Sequence, residues 1–244
     1  MRLIAIIFSL CLCAACDGST DTVAPARPRV AAGNGSIRGS VHFVGVAPKM
    51  PVITISNERC CEGDPPLVEE TVVVNPNKTL RNVFVYLEDA PAIDAPAPTP
   101  ALLDQVRCRY VPHAIGVEVD QPLRVRSSDP TMHNVHFMPE KNVAKNLSMT
   151  QQGQEVTTKF AAAEFIRFRC DVHPWMCAWV GVFENPFFAV TQEDGTFELK
   201  SIPAGTYRVV AWHELYGRRE QSVTITDDKP IEVNFSFGGA SRQS

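Results

Sequence analysis

The sequence predicts an all-β protein that contains two β-sandwiches. Apolar and polar residues alternate in short segments, roughly one every ten residues, bounded by Gly, Pro and Asp, as in sandwiches and barrels. The 19 Pro and 14 Gly among 244 residues interrupt the chain too often for long helices. Hydrophobic residues make up 45% of the chain, which is enough to bury a core and excludes wholesale disorder.

The predicted strands extend over the whole chain after the first 35 residues. They are expected at 36–44, 82–88, 115–119, 122–127, 134–137, 155–160, 164–170, 178–184, 187–191, 196–200, 206–213, 222–226 and 231–237. A helical turn is expected only at 101–106 and in part of 141–148. Residues 89–100 are rich in proline and are predicted to be an extended connector.

The N-terminus indicates export. Arg2 precedes an apolar segment at 3–12, and two alanines stand directly before Cys16, a pattern that resembles a bacterial lipoprotein signal. We therefore expect a signal peptide at 1–16, lipidation of Cys16 and a flexible tether at 17–35. This places the protein on the periplasmic side of a bacterial membrane, anchored by lipid. An ordinary soluble export signal is the alternative.

The net charge of −4, from 23 basic and 27 acidic residues without a basic stripe, argues against a nucleic-acid partner.

The residues that indicate a chemical function lie between 104 and 184. His133 opens the strand HNVHF, and Cys170 ends another strand at the start of CDVHPWM. With His173 and Met176 they offer one thiolate, two imidazoles and one thioether, the ligand set of a trigonal His₂Cys copper site with a weak axial Met. Three of these residues share one loop, whose freedom Pro174 limits. These ligands suit both oxidation states of copper and so favour electron transfer.

The motif HNVHF…CDVHPWM resembles the amicyanins, members of the cupredoxin family, over about eighty residues of the chain. The resemblance implies a cupredoxin-like Greek-key sandwich at 101–186. It implies one mononuclear type 1 copper site, with Asn134 tying the two ligand segments together by hydrogen bonds. The copper ligands that it implies are His133, Cys170, His173 and Met176. Cys177 and the long flanking regions depart from the amicyanin pattern.

The C-terminal stretch AVTQEDGTFELKSIPAGTYRVVAWHE contains two tight-turn signals, DG at 194–195 and PAG at 203–205. It resembles transthyretin-like modules, the carboxypeptidase regulatory-like domains, which implies a second β-sandwich at 187–238. Such modules open with a Gly-x-Val-x-Phe strand, and residues 39–43 read GSVHF. Residues 36–100 are therefore expected to be an N-terminal β segment. It either completes the C-terminal sandwich, with 101–186 inserted, or forms part of a tandem arrangement.

Five cysteines follow the N-terminal signal, and export permits disulfides among them. With Cys170 assigned to the metal, Cys60, Cys61, Cys108 and Cys177 form an even set with three possible pairings. A bridge between the neighbours Cys60 and Cys61 would be strained. We therefore favour the long-range pairs Cys60–Cys108 and Cys61–Cys177.

Other side chains near the motif have structural interpretations. His113 is a candidate for contact with the metal from a preceding loop, whereas His136 is expected to be packed or hydrogen-bonded. Trp175 is expected to shield copper, to form a docking patch or to pack in the core. His42 and His213 are expected to be structural or surface residues.

The predicted function is one-electron transfer to a redox partner protein such as a cytochrome or a dehydrogenase, with His173 at the loop surface as the point of electron transfer. Two alternatives stay open. One is a periplasmic copper-handling or copper-sensing protein without redox turnover, and the other is a non-metal β-sandwich that serves as a binding or scaffold module. No enzymatic activity is expected, because the sequence has no nucleophile elbow, no His-Glu-x-x-His motif and no phosphate-binding glycine loop.

Overall fold

The computed structural model describes residues 29–55, 58–94, 97–226 and 229–238. The predicted all-β class is confirmed, because β-strands are the only regular elements within these ranges. No described segment forms a helix long and apolar enough to cross a membrane. The predicted signal peptide at 1–16, with Cys16, and residues 17–28 of the predicted tether lie outside the described residues.

The strands are numbered in chain order. They are β1 (Arg29–Val30), β2 (Gly35–Val44), β3 (Phe84–Glu88), β4 (Ala92–Ile93), β5 (Ala101–Gln105), β6 (Tyr110–Val111), β7 (Ala114–Glu118), β8 (Leu123–Ser127), β9 (His133–Phe137), β10 (Lys145–Met149), β11 (Glu155–Thr158), β12 (Phe165–Arg169), β13 (Cys177–Phe183), β14 (Phe188–Val190), β15 (Thr196–Ile202), β16 (Gly205–His213), β17 (Gly217–Ile225), β18 (Ile231–Glu232) and β19 (Phe235–Gly238).

One sandwich combines strands from both ends of the described chain. Its sheets have the orders β14-β3-β16-β17 and β15-β2-β18, and β19 also pairs with β2. The alternating sequence GSIRGSVHFV of β2 turns Ile37, Val41 and Phe43 inward. These side chains share a buried cluster with Val209 of β16 and Phe197 of β15. The core of this sandwich is therefore built from segments far apart in sequence.

The other sandwich is made by the strands between these segments. Its sheets have the orders β10-β9-β12-β13-β7 and β11-β8-β5-β6. Leu103 of β5 and Val125 of β8 meet Phe168 of β12 and Val180 of β13 in one buried cluster. This sandwich carries all four of the predicted copper ligands.

The helical turns expected near 101–106 and 141–148 are wrong. Ala101–Gln105 is strand β5, which pairs in parallel with β8, and Lys145–Met149 is strand β10, which pairs with β9. Cross-strand hydrogen bonds and burial of Leu103 and Met149 override the weak local preference.

Aromatic side chains join the two sandwiches. Phe84 of β3, Ala114 of β7 and Phe183 of β13 form a buried cluster. Phe165 of β12 stacks on Trp212 of β16 with ring centroids 4.1 Å apart and an interplanar angle of 8°. The sandwiches therefore share an apolar contact.

A long connection, residues 45–83, joins β2 to β3. Ile53 N donates to Leu67 O over 2.8 Å, and Val52 forms an isolated bridge with Val68. Farther along, the connection reaches the other sandwich, where Cys61 belongs to the buried core cluster. This connection thus carries residues from the first sandwich to the end of the second where the predicted ligands lie.

Candidate metal centre

Two neighbouring strands bring the predicted ligands together. His133 begins β9, and Cys170 directly follows β12, which pairs with β9 in the same sheet. The loop after Cys170 returns to β13 at Cys177. Its backbone closes on itself, since Cys170 N donates to Met176 O over 3.2 Å and Met176 N donates to His173 O over 2.9 Å. The sheet thus fixes the loop next to His133.

The side chains of His133, Cys170 and His173 converge and are at most 2% exposed. The two Nδ1 atoms are 2.9 Å apart, and the Cys170 Sγ lies 3.9 Å from that of His133 and 3.8 Å from that of His173. A circle through these atoms has a radius of about 2.1 Å, within the roughly 2.0–2.3 Å of metal–nitrogen and metal–sulfur bonds. The triangle therefore fits one trigonal metal ion.

Met176 and Asn134 belong to the two segments that carry these three residues. Met176 is 1% exposed and belongs to the same buried cluster as Cys170. The Asn134 Oδ1 accepts a hydrogen bond of 2.6 Å from Asp171 N, and its Nδ2 donates to the Asp171 carboxylate over 2.8 Å. Asn134 thus links the strand after His133 to the loop after Cys170.

Asp129 contacts His133 and was not predicted from the sequence. Nε2 of His133 lies 2.9 Å from Asp129 Oδ2, and the carboxylate also accepts hydrogen bonds from the backbone N–H groups of Arg107 and Cys108 at 2.6 and 2.8 Å. An acceptor at Nε2 holds the proton there and leaves the Nδ1 lone pair of His133 free for a metal. The only sequence signal was a carboxylate four residues before the histidine, which is too common to single out.

The turn that supplies these backbone donors is itself unusual. Arg107 and Cys108 connect β5 to β6 with φ angles of 52° and 54°, the left-handed region that L-residues rarely adopt. This conformation presents two successive N–H groups to one carboxylate. The charge-assisted hydrogen bonds to Asp129 offset the cost of the conformation.

The electrostatics of the metal-free site favour a thiolate. Burial opposes a charged His133, but hydrogen bonds to Asp129 and Cys170 raise the pKa of His133 to about 9. Burial also opposes ionisation of Cys170, yet the His133 side chain and nearby backbone N–H groups lower the pKa of this thiol. Burial and the charge of His133 lower the pKa of His173. Thiolates and neutral imidazoles are the forms that bind metals, so a metal ion that binds His133 must displace the proton that its raised pKa holds in the metal-free site.

The expectation that His173 lies at the loop surface is wrong. The residue is 2% exposed, because residues 58–61, here called the cap turn, lie against it. Glu58 Oε1 is 3.9 Å from His173 Nε2, and the Trp175 ring lies on the imidazole with centroids 5.3 Å apart. Trp175 belongs to the ligand loop, whereas the cap turn comes from the connection between β2 and β3, which the ligand loop alone does not predict.

The predicted disulfide pairing is wrong as well. Cys61 is bonded to Cys108, with Cα atoms 5.1 Å apart, while Cys60 and Cys177 are free. The cap turn is closed by a hydrogen bond of 2.9 Å from Cys61 N to Glu58 O, and it buries Cys61 next to Cys108 while Cys60 stays partly exposed. Cys177 lies near Glu214 instead. Burial and this carboxylate raise the pKa of the Cys177 thiol.

None of the other side chains singled out from the sequence belongs to the triangle, although Trp175 contacts His173. His113 is paired with Glu214 between the sandwiches, and His136 contacts the Asp171 carboxylate at 2.7 Å. The Trp175 indole is half-buried and donates to Cys108 O over 3.0 Å. His42 contacts Ser40 Oγ at 2.8 Å. His213 is fully buried.

No protein-family model and no curated protein matches this chain. Among solved structures, a novel purple cupredoxin from Nitrosopumilus maritimus is 17% identical over 34% of this chain and 98% of its own, with a TM-score of 0.30. A Cu(I) amicyanin mutant is 22% identical over 40% of this chain and 97% of its own, with a TM-score of 0.32. The copper-containing nitrite reductase from Thermus scotoductus is 16% identical over 40% of this chain and 24% of its own, also at 0.32. At these TM-scores the likenesses carry no functional weight.

Proposed function

We propose that the protein binds one copper ion in a cupredoxin-type site and serves as a one-electron carrier. The observation that carries this proposal is the buried triangle of two imidazole nitrogens and one thiol sulfur, whose dimensions fit a trigonal ion. The ligands proposed are His133, Cys170, His173 and Met176, with Met176 as the weak thioether ligand.

The protein groups hold the ligands in place before metal arrives. Asp129 fixes the tautomer of His133, and Asn134 fixes the backbone after Cys170. Burial excludes water from the triangle. Bound copper supplies the one-electron couple. Rigid ligands need little rearrangement when the charge changes, which suits rapid electron transfer.

The wider setting is part of the same proposal. The signal-like N-terminus supports export and lipid anchoring at Cys16 on the periplasmic side of a bacterial membrane. The partner would then be a redox protein there, such as a cytochrome or a dehydrogenase. Export can be tested by radiolabelled-lipid incorporation, which should disappear in Cys16→Ala and persist in Cys60→Ala.

Copper titration with visible and paramagnetic resonance spectroscopy tests the metal site. The wild-type protein should bind one equivalent of Cu(II) and show an intense thiolate-to-copper band. Cys170→Ser should lose the band, whereas Cys177→Ser, which changes a free cysteine outside the triangle, should keep it. A band that survives in Cys170→Ser, or a folded wild-type protein that binds no copper, would refute the assignment.

A copper-handling role without redox turnover is the second candidate. It is favoured by the burial of His173 under the cap turn, since a covered imidazole edge slows electron exchange with a partner. Voltammetry separates the two functions. Reversible one-electron waves and fast exchange with a small cytochrome support the carrier, and tight copper binding with sluggish exchange supports the holder.

A further inference from the structure

The cap turn and its disulfide lie directly against the predicted copper ligands. The ligand atoms of Cys108, His133 and His173 are all within 4.8 Å of one another, and so are those of Glu58, Cys61 and His173. Both halves of the Cys61–Cys108 disulfide are therefore close to an imidazole of the site. The disulfide joins residues 47 positions apart in sequence and fastens the cap turn to the turn between β5 and β6.

Weaker contacts hold the cap turn elsewhere. Thr131 Oγ1, two residues before His133, donates to Glu58 Oε2 over 3.3 Å. Arg107 Nη2 donates to Pro65 O over 3.2 Å, just beyond the cap turn. Each is a single contact with a partly exposed partner, and such contacts contribute little on their own. The disulfide is thus the main fastening at the copper end.

The cap turn covers the Nε2 edge of the His173 imidazole. Its Nε2 is buried and has no hydrogen-bond partner among the described residues. Binding a metal through Nδ1 leaves a proton on Nε2, and the Glu58 carboxylate faces that atom at 3.9 Å. Without the cap turn, this edge of the imidazole would lose its cover and open to solvent.

We propose that the cap turn is a redox-controlled cover of the metal centre, held shut by the Cys61–Cys108 disulfide, with Glu58 as a positioning residue for His173. The copper part of this inference rests on the proposed function. Opening takes two electrons and two protons from a dithiol reductant: the Cys61–Cys108 bond is replaced by two thiols, and the reductant becomes a disulfide. The cover is then held only by its non-covalent contacts. Because Cys170 shares one buried cluster with Cys61 and Cys108, its thiol and a bound ion should become accessible when the cover opens.

The neighbouring Cys60 does not undo this fastening. Its Sγ is 3.9 Å from that of Cys61, within reach of thiol–disulfide exchange. Attack of Cys60 on Cys61 would create a bridge between adjacent residues, which is strained. Burial and the charges of Glu58 and Asp129 also raise the pKa of Cys60 and so disfavour the reactive thiolate. An external dithiol is therefore the chemical class that would open the cover.

The first test uses the metal-free protein. Alkylation of Cys170 by iodoacetamide is followed by peptide mass spectrometry, which separates Cys170 from Cys60 and Cys177. Prior reduction with dithiothreitol, followed by anaerobic desalting, should speed Cys170 alkylation about tenfold or more, because local opening becomes easier. Cys61→Ala/Cys108→Ala should behave like the reduced protein, and the matched free-cysteine variant Cys177→Ala should behave like wild type. Equal rates in the oxidised and reduced proteins would overturn the proposal.

The second test uses copper. Transfer of Cu(I) to bathocuproine should be about tenfold or more faster from the reduced protein than from the oxidised one. Glu58→Ala keeps the disulfide and should speed transfer by a smaller factor, and it provides a comparison if the double cysteine variant does not fold. If the protein binds copper but the oxidised, reduced and variant forms all release it at the same rate, the proposed cover is wrong and the proposed function stands. A protein that binds no copper, yet protects Cys170 only when oxidised, would contradict the proposed function alone.

Discussion

Asp129→Asn should weaken copper binding by disturbing His133 without removing a ligand. The native carboxylate accepts three hydrogen bonds, from His133 Nε2–H and from two backbone N–H groups. Asparagine has one oxygen acceptor and an amide that donates, so at least one donor loses its partner. When His133 is no longer held with its proton on Nε2, the Nδ1–H tautomer competes with the metal.

The expected loss follows from these contacts. Removing a residue that orients a ligand lowers metal affinity about 10–100-fold, or about 1.4–2.7 kcal/mol. The unpaired backbone donor lowers the free energy of unfolding by about 1–3 kcal/mol. Copper affinity is measured by competition with a chelator of known affinity, and unfolding by urea titration of the metal-free protein.

Asp104→Asn is the matched control. Asp104 is also a buried carboxylate, but its hydrogen bonds go to Arg126 and to Ser128 Oγ, the latter at 2.9 Å. The control should lower stability and leave copper affinity within about twofold, since no ligand depends on it. If Asp129→Asn lost stability but kept wild-type copper affinity, Asp129 would not orient the metal ligand.

Three further predictions concern stability. Cys61→Ala/Cys108→Ala should lower the free energy of unfolding by about 4 kcal/mol in urea titration, because the disulfide closes a loop with a sequence separation of 47; an unchanged midpoint would argue against this. Burial lowers the pKa of His213 to about 4, so the unfolded chain takes up a proton between pH 6.5 and 4 that the folded chain does not. The free energy of unfolding should therefore decrease by up to about 3 kcal/mol as the pH is lowered through this window. In the variant His213→Asn this decrease should be smaller. A double-mutant cycle of Phe165→Leu and Trp212→Leu should give a coupling of about 0.5–1.5 kcal/mol for the stacked pair, and additivity would show that the rings do not couple the sandwiches.

The all-β class was predictable because strand patterning is local. The expected strand at 36–44 is observed as Gly35–Val44, and that at 206–213 as Gly205–His213. The pattern failed at Ala101–Gln105 and Lys145–Met149, where strand pairing with distant residues decides the conformation. At these two segments, pairing with residues far away in the sequence outweighs the weak local conformational preference.

The candidate site was predictable to the extent that it is local. Cys170 and His173 share one short loop, and the pairing of β9 with β12 brings His133 to them. Their role as copper ligands stays a prediction. Asp129 was missed because it acts through the orientation of His133 rather than through a motif.

The cover of the site could not be predicted. Its position depends on where residues 45–83 contact the second sandwich. The alternation of apolar and polar residues predicts strands but gives no information on such a contact. The same holds for the disulfide, because the choice between Cys60 and Cys61 depends on which of two adjacent side chains a four-residue turn directs inward. Sequence separation alone did not distinguish them.

The interleaved topology sets the order in which a ribosome delivers the two sandwiches. By Phe183, the nascent chain already contains every strand of the second sandwich, from β5 to β13, and both cysteines of the Cys61–Cys108 disulfide. At that stage the first sandwich has only β2 and β3, and the strands β14 to β19 that complete it have not yet been synthesised. During synthesis, the inner unit is therefore the first that can close, and the outer unit must be completed around a neighbour that is already folded.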